Sequence, residues 1–333
     1  MKSIRHRCIA ALAALCLFAS CAAFAGETAR PVKKILCTTF PVYQFTRNVT
    51  AGSATVSVDL LLPAEMGCPH DYALTPQDMA KIAEADILVI NGLGMEEFMG
   101  KPVEKANPAI AIIDSSVGIE NPIRYDDHEH HGEHHHSEHD ASADEHGPEN
   151  AHEHNDHAHH HHHHDINPHL FTSPALGARI VENIAARLCI LDPGGAAAYA
   201  SNGNAYAVQL RALSTEMREA IGRFANPRIV EPHGAFDYLC RDLGVEIVAH
   251  LQPHGQELSA SQMLEILETI KKKKPAAIVV EPQYPAKAGQ TLAAEAGIPV
   301  IRLDSVATGP GDAPLGYYET VMRANLAALA NVL

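Results

Sequence analysis

Short runs of consecutive apolar residues alternate along this chain with longer stretches whose apolar positions recur every three or four residues. Lys34 to Thr38, Ile87 to Ile90 and Ile110 to Asp114 are runs of the first kind, and Val56 to Leu62 alternates and then becomes continuously apolar, together the pattern of strands in a parallel sheet. Between them the pattern predicts a short helix beginning near Pro41, a helix opened by Thr75-Pro76 and running through Ala85, and a short helix over Met95 to Val103. The same alternation returns later, with strands expected at Arg228 to Glu231, Val245 to Ala249, Ala277 to Glu281 and Val300 to Leu303. The helix at Ser259 is well marked: Ser259 and Gln262 form a capping box, and the Lys271 to Lys274 run lies where the negative helix end favours cations. A last helix is expected over Tyr317 to Ala330.

Between the two sets of strands, Ser173-Pro174 opens a helix to about Leu191, and Asp192-Pro193 opens another reaching Arg223. A helix of about 30 residues at roughly 1.5 Å each would span some 45 Å. The expected fold class is therefore α/β: two parallel-sheet lobes of about four strands each, residues 33–190 and 224–333, joined by one long rigid helix over 192–223.

Composition changes this picture at one place. Asp126 to Asp165 holds 17 of the chain's 23 histidines, 12 acidic residues and no Lys or Arg. So little apolar surface cannot offset the chain entropy of folding, so 126–165 is expected to be a disordered surface loop inserted into the first lobe. Imidazole and carboxylate both ligate metals, and the loop is expected to capture or buffer divalent cations. The net charge of −15 comes mostly from this stretch; outside it, 28 acidic residues face 25 basic ones. The rest of the chain thus has no field suited to nucleic acid or an anionic surface.

The N-terminus reads as a secretory signal over residues 1–25: Lys2, Arg5 and Arg7, then an apolar run from Ile9 to Phe18, then Ala23-Phe24-Ala25 before Gly26. The mature chain is expected in the periplasm, with anchoring of a lipoprotein through Cys21 as the rival reading. Cys37, Cys68, Cys189 and Cys240 follow the signal, and four cysteines allow three pairings. Cys37 with Cys68 is favoured, because both follow neighbouring expected strands; the alternative makes Cys68 a thiolate ligand two residues before His70.

In open α/β sheets, ligands bind at the carboxyl ends of the strands. His70, His169 and His233, each directly after a proline, lie after expected strands, as does Asp304. Three imidazoles and a carboxylate suit a divalent cation of the zinc type in a closed tetrahedral site, with no open position for a catalytic water. Two candidates come from each lobe, so the metal site is expected in the interlobe cleft. Glu281, Asp71, Asp114, Glu65, His250 and His254 are reserve candidates, the two histidines being expected to line the surface. No His-Glu-x-x-His helix or nucleophile elbow supports the alternative of a zinc hydrolase.

Thr38-Thr39-Phe40-Pro41, Pro69-His70-Asp71-Tyr72 with Thr75-Pro76, Ala85-Asp86 leading into Asn91-Gly92-Leu93-Gly94-Met95-Glu96, Asn167-Pro168-His169, and Glu281-Pro282-Gln283 before Leu303-Asp304 occur in this order. In that series the chain resembles the metal-binding proteins of zinc and manganese ABC importers over essentially its whole mature length. The resemblance implies two lobes joined by a rigid helix, limited closure, and a metal held by His70, His169, His233 and Asp304. It implies a monomer that captures Zn2+ and delivers it to the transmembrane subunit of an ABC permease, without enzyme activity. Manganese-binding members typically place a Glu where this chain has His233, so zinc is the expected cargo, with manganese or nickel as alternatives. Some zinc members carry an acidic residue immediately before the first His; here Pro69 stands there, which makes Asp304 the expected fourth ligand. A surface adhesin or zinc-sequestering protein of the same fold is the remaining alternative.

Overall fold

The runs Ile87–Ile90 and Ala277–Val280 are buried along nearly their whole length and form central strands, covered on both faces. The computed structural model describes residues 32–66, 72–124, 166–252 and 258–333. The expected signal segment, the 126–165 loop, Cys68, His70, Asp71 and His254 lie outside the described residues. The first sheet contains β1 (Lys33–Cys37), β2 (Val56–Leu60), β3 (Ile87–Ile90) and β4 (Ala111–Asp114), all parallel, in the order β2-β1-β3-β4. The second contains β5 (Arg228–Glu231), β6 (Glu246–His250), β7 (Ala277–Val280) and β8 (Val300–Arg302), again parallel, in the order β6-β5-β7-β8. The two lobes thus share one winding.

Alternation along each strand sorts its side chains into two cores. Leu36 and Leu88 point to an outer cluster with Ile82 of α2 (Pro76–Glu84) and Val103 of α3 (Gly100–Ala106). Val230 and Ile278 likewise meet Ile270 of α7 (Ala260–Lys273) and Leu292 of α8 (Lys287–Ala296). The opposite faces, with Ile35, Ile87 and Val89 from one sheet and Ile229, Ala277 and Val279 from the other, belong to a single buried cluster. That shared layer is filled by α1 (Phe40–Val49), α4 (Pro174–Leu191), α5 (Ala196–Ile221), α6 (Asp237–Leu243) and α9 (Tyr317–Ala330). Within it Phe45 meets Tyr318 edge-on at 5.0 Å.

The local signals hold. Thr75 and Asp78 cap α2 reciprocally, and Ser259 and Gln262 cap α7 in the same way. The helix expected over Met95 to Val103 instead starts at Gly100. Gly92, Leu93 and Gly94 all take positive φ, and the Glu96 carboxylate accepts the N–H groups of Asn91 and Gly92, so this segment is a turn tied by its own side chain. The long helix begins at Ala196, because Asp192 to Gly195 form a turn, and its 26 residues span about 39 Å. It lies along α4 and also touches α1, α6 and α9, so it is packed on both lobes.

Cys37, Cys189 and Cys240 are free thiols; Cys68, the partner favoured for Cys37, lies outside the described residues. Cys37 points from β1 into the shared core, where burial pushes its thiol up to about 12. Sequence proximity of strands does not tell which face a cysteine takes.

Gly203 in α5 lies so close to α4 that a Cβ there would stand 2.5 Å from the Ala185 Cβ. Gly203→Ala is therefore expected to destabilise by about 1–3 kcal/mol in urea unfolding, despite alanine's better helix propensity.

Candidate metal centre

In each sheet the second strand lies on one side of the first and the third strand on the other. The loops after the first and third strands therefore border the topological switch point, where α/β sheets hold ligands. In the second sheet these loops are Glu231-Pro232-His233 after β5 and Glu281-Pro282-Gln283 after β7. In the first they are Thr38-Thr39 after β1 and Asn91 to Glu96 after β3. Asn91 donates through Nδ2 to the Pro168 carbonyl at 3.0 Å, so the first sheet's switch point carries the Asn167-Pro168-His169 segment.

His169 is 2% exposed. Its ring centroid is 5.4 Å from that of His233, with the planes at 77°. His169 Nδ1 lies 2.8 Å from Asn167 Oδ1, and His233 Nδ1 lies 3.1 Å from Oε1 of the buried Glu281. The His169 Nδ1 is thus held by an amide oxygen, the arrangement that orients Nε2 as the ligating nitrogen of a metal-bound imidazole, and the His233 Nδ1 stands at ion-pair distance from a carboxylate. The Tyr284 ring stands edge-on to His233 at 5.4 Å.

Asp304 follows β8. Its Oδ1 accepts from Gln283 Nε2 at 2.9 Å and from the Val306 N–H at 2.8 Å, and its backbone is held on both sides by the Asn325 amide. Val306 takes a φ of 63°, which is rare for a β-branched residue and marks a backbone bent to this purpose. Burial raises the Asp304 carboxyl above its ordinary value, and the charge of Glu281 adds to the rise. Two carboxylates whose charges repel, one of them at ion-pair distance from an imidazole, are an arrangement that a divalent cation would relieve. Of the expected ligands, the structure brings His169 and His233 together and sets Asp304 within electrostatic reach of Glu281. His70 lies outside the described residues.

Among the reserve candidates, Glu281 joins the centre through His233. Asp114 accepts from the Ser116 N–H and hydroxyl in a turn, and Glu65 is exposed. His250, expected at the surface, is instead half-buried, with Nε2 3.0 Å from Glu231 and 3.1 Å from Asp237. Burial alone would lower its pKa, but the hydrogen bonds and charges of Asp237 and Glu231 raise it to about 10, so it carries a proton at neutral pH. Glu231 in turn accepts the N–H groups of Gly234 and Phe236. Sequence reading missed this group because its members come from β5, α6 and β6, and no spacing connects them. Glu96 was also passed over; burial pushes its carboxyl up to about 7 while Thr38 and two backbone N–H groups hold it.

The family model described as zinc-uptake complex component A, periplasmic, matches residues 35–332. The high-affinity zinc uptake system protein ZnuA of Bacillus subtilis (strain 168) is 30% identical over 305 residues, 90% of this chain and 87% of that one. The zinc-binding lipoprotein AdcA of Streptococcus pneumoniae is 29% identical over 326 residues, 96% of this chain and 59% of that longer relative. The solute-binding protein FpvC of Pseudomonas aeruginosa, solved with Ni2+, superposes with a TM-score of 0.71 at 26% identity, covering 90% of this chain and 96% of that one.

Two pH signatures follow for the metal-free protein in thermal melts. The stability that His250 supplies is present below pH 6.5 and lost as pH rises through about 10, so the destabilisation by His250→Gln should be full at pH 6 and fade above pH 10. Glu96, with its raised carboxyl, favours folding most below pH 4.5 and less as pH rises through about 7; Glu96→Gln should flatten that decline.

Proposed function

Because this chain belongs to the family of periplasmic zinc-uptake components A, we propose that it is the exported protein that binds Zn2+ and hands it to the transmembrane subunit of an ABC permease. The ion is held by His70, His169, His233 and Asp304. The observation that carries this reading is the pair His169 and His233, with ring centroids 5.4 Å apart and an oxygen 2.8 Å and 3.1 Å from their respective Nδ1 atoms.

The chemistry of this donor set favours zinc. Imidazole-rich sites suit zinc, whereas sites for manganese replace nitrogen with carboxylate oxygen. His233 supplies nitrogen at the place where a Glu would shift the balance. The buried Glu281 still adds negative charge beside it, without replacing that nitrogen. A closed set of four protein ligands stores and releases a cation and offers no position for an activated water. The protein works as a monomer, after removal of residues 1–25. No helix among the described residues is long and apolar enough to cross a membrane.

The test is a zinc titration against a competing chelator. His169→Ala and His233→Ala should each weaken binding at least 100-fold, with the metal-free melting temperature within a few degrees of the parent; undiminished affinity in either variant would overturn the site. Imidazole must be deprotonated to ligate, so affinity should fall steeply below about pH 6. Competition with Ni2+ and Mn2+ reads the cargo directly, and tighter binding of either would replace zinc.

A further inference from the structure

We propose that Asp237, a residue of the second lobe, is a positioning residue for His169 in the first, acting through the side chain of Asn167. This rests on the reading of His169 as a zinc ligand and adds a connection between the metal centre and the contact of the two lobes.

The argument is one of hydrogen-bond capacity. Asn167 is fully buried, and all of its amide's positions are used. Nδ2 donates to the Gly234 carbonyl at 2.7 Å and to Asp237 Oδ2 at 2.9 Å. Oδ1 accepts the His169 N–H at 2.9 Å and faces His169 Nδ1 at 2.8 Å. A carbonyl and a carboxylate can only accept, so the end of the amide that faces the second lobe has to be the NH2 group. Its oxygen is then turned to His169, and an oxygen there requires Nδ1 to carry the proton. Nε2 is thereby left deprotonated, the form that ligates. The tautomer of a ligand in one lobe is thus held jointly by its own backbone N–H and by acceptors in the other lobe.

The rest of the contact keeps these acceptors in place. Asp237 Oδ1 is 3.1 Å from His250 Nε2, which keeps the carboxylate turned with Oδ2 toward Asn167. The backbone of Asn167 is tied to the same helix: Tyr238 donates its hydroxyl to the Asn167 carbonyl at 2.7 Å and accepts the Ile123 N–H at 3.0 Å. If α6 moved from this segment, the Asn167 amide could turn over, and His169 would lose the partner that holds its Nδ1 proton. Lobe docking and tight grip on the ion are then one equilibrium, which gives a permease that pulls the lobes apart a route to release.

The experiment measures zinc affinity by chelator competition in the full-length mature protein and in Asp237→Ala, Asp237→Asn, Asn167→Ala, the double variant Asp237→Ala with Asn167→Ala, and His169→Ala. Metal-free 15N spectra report the His169 tautomer in each. Asp237→Ala should weaken zinc about tenfold, the low end for groups that orient metal ligands, while the Gly234 carbonyl and the His169 N–H keep the Nδ1-protonated tautomer dominant; Asn167→Ala should give a mixture of His169 tautomers. Asp237→Asn keeps an acceptor and should restore most of the affinity. In the Asn167→Ala background the Asp237 change should cost nothing further. Parent-like affinity in Asp237→Ala, or the same loss in both backgrounds, would overturn the proposal. If Asn167→Ala does not fold, the alanine and asparagine variants of Asp237 decide it. Tight zinc in His169→Ala would remove the site itself and this proposal with it, a failure distinct from an inert Asp237.

Discussion

The layer of apolar side chains shared by the inner faces of the two sheets is what fixes every distance at the proposed centre. His169 follows the first sheet and His233 the second, so their separation is a property of how the sheets are held. Phe45, Phe171, Tyr206, Tyr238 and Tyr318 all belong to that layer. Each side chain of this size contributes about 1.5–3 kcal/mol through burial, so separating the sheets would expose a large part of what stabilises them. The long helix α5 adds to this constraint, because it packs against helices of both lobes.

On that frame the polar groups of the centre are arranged so that almost none of the geometry is left to the cation. His169 and His233 are oriented by Asn167 and Glu281, and Asp304 is held by Gln283, Val306 and Asn325. What remains unrelieved is charge: Asp304 and Glu281 repel each other across a desolvated space. A divalent cation bound there would supply the missing compensation. Imidazole-rich coordination then favours a borderline-soft ion over one that prefers oxygen alone.

The interlobe hydrogen bonds are directional, in contrast to the broad apolar layer. Among the described residues they include, besides the contacts of Asn167, those from Arg47 to the Ala313 carbonyl, Asn48 to the Leu315 carbonyl, Tyr318 to the Phe171 carbonyl, Arg241 to the Asn121 carbonyl and Ser173 to Asp242. Apolar packing holds the sheets near each other over a range of small displacements, whereas a saturated amide such as Asn167 is satisfied in one position only. The contacts of Asn167 are therefore sensitive to movements too small to disrupt the core.

The sequence by itself determined the two sets of parallel strands, the caps of α2 and α7, and the short list that contains His169, His233 and Asp304. These are local properties: apolar runs, capping boxes and Pro-His pairs at strand ends are set by residues within a few positions of one another. The start of α3 escaped it, because the turn before that helix is tied by the Glu96 side chain and by three residues with positive φ. The free thiol of Cys37 escaped it as well, since strand alternation tells that faces differ and not which face is the core. Only the tertiary structure decided that His169 and His233 stand ring against ring, that Glu281 supports His233, and that His250 is an ion-paired cation. Those facts depend on groups from different elements being desolvated together, and no pattern along a chain records which distant residues will share one buried space.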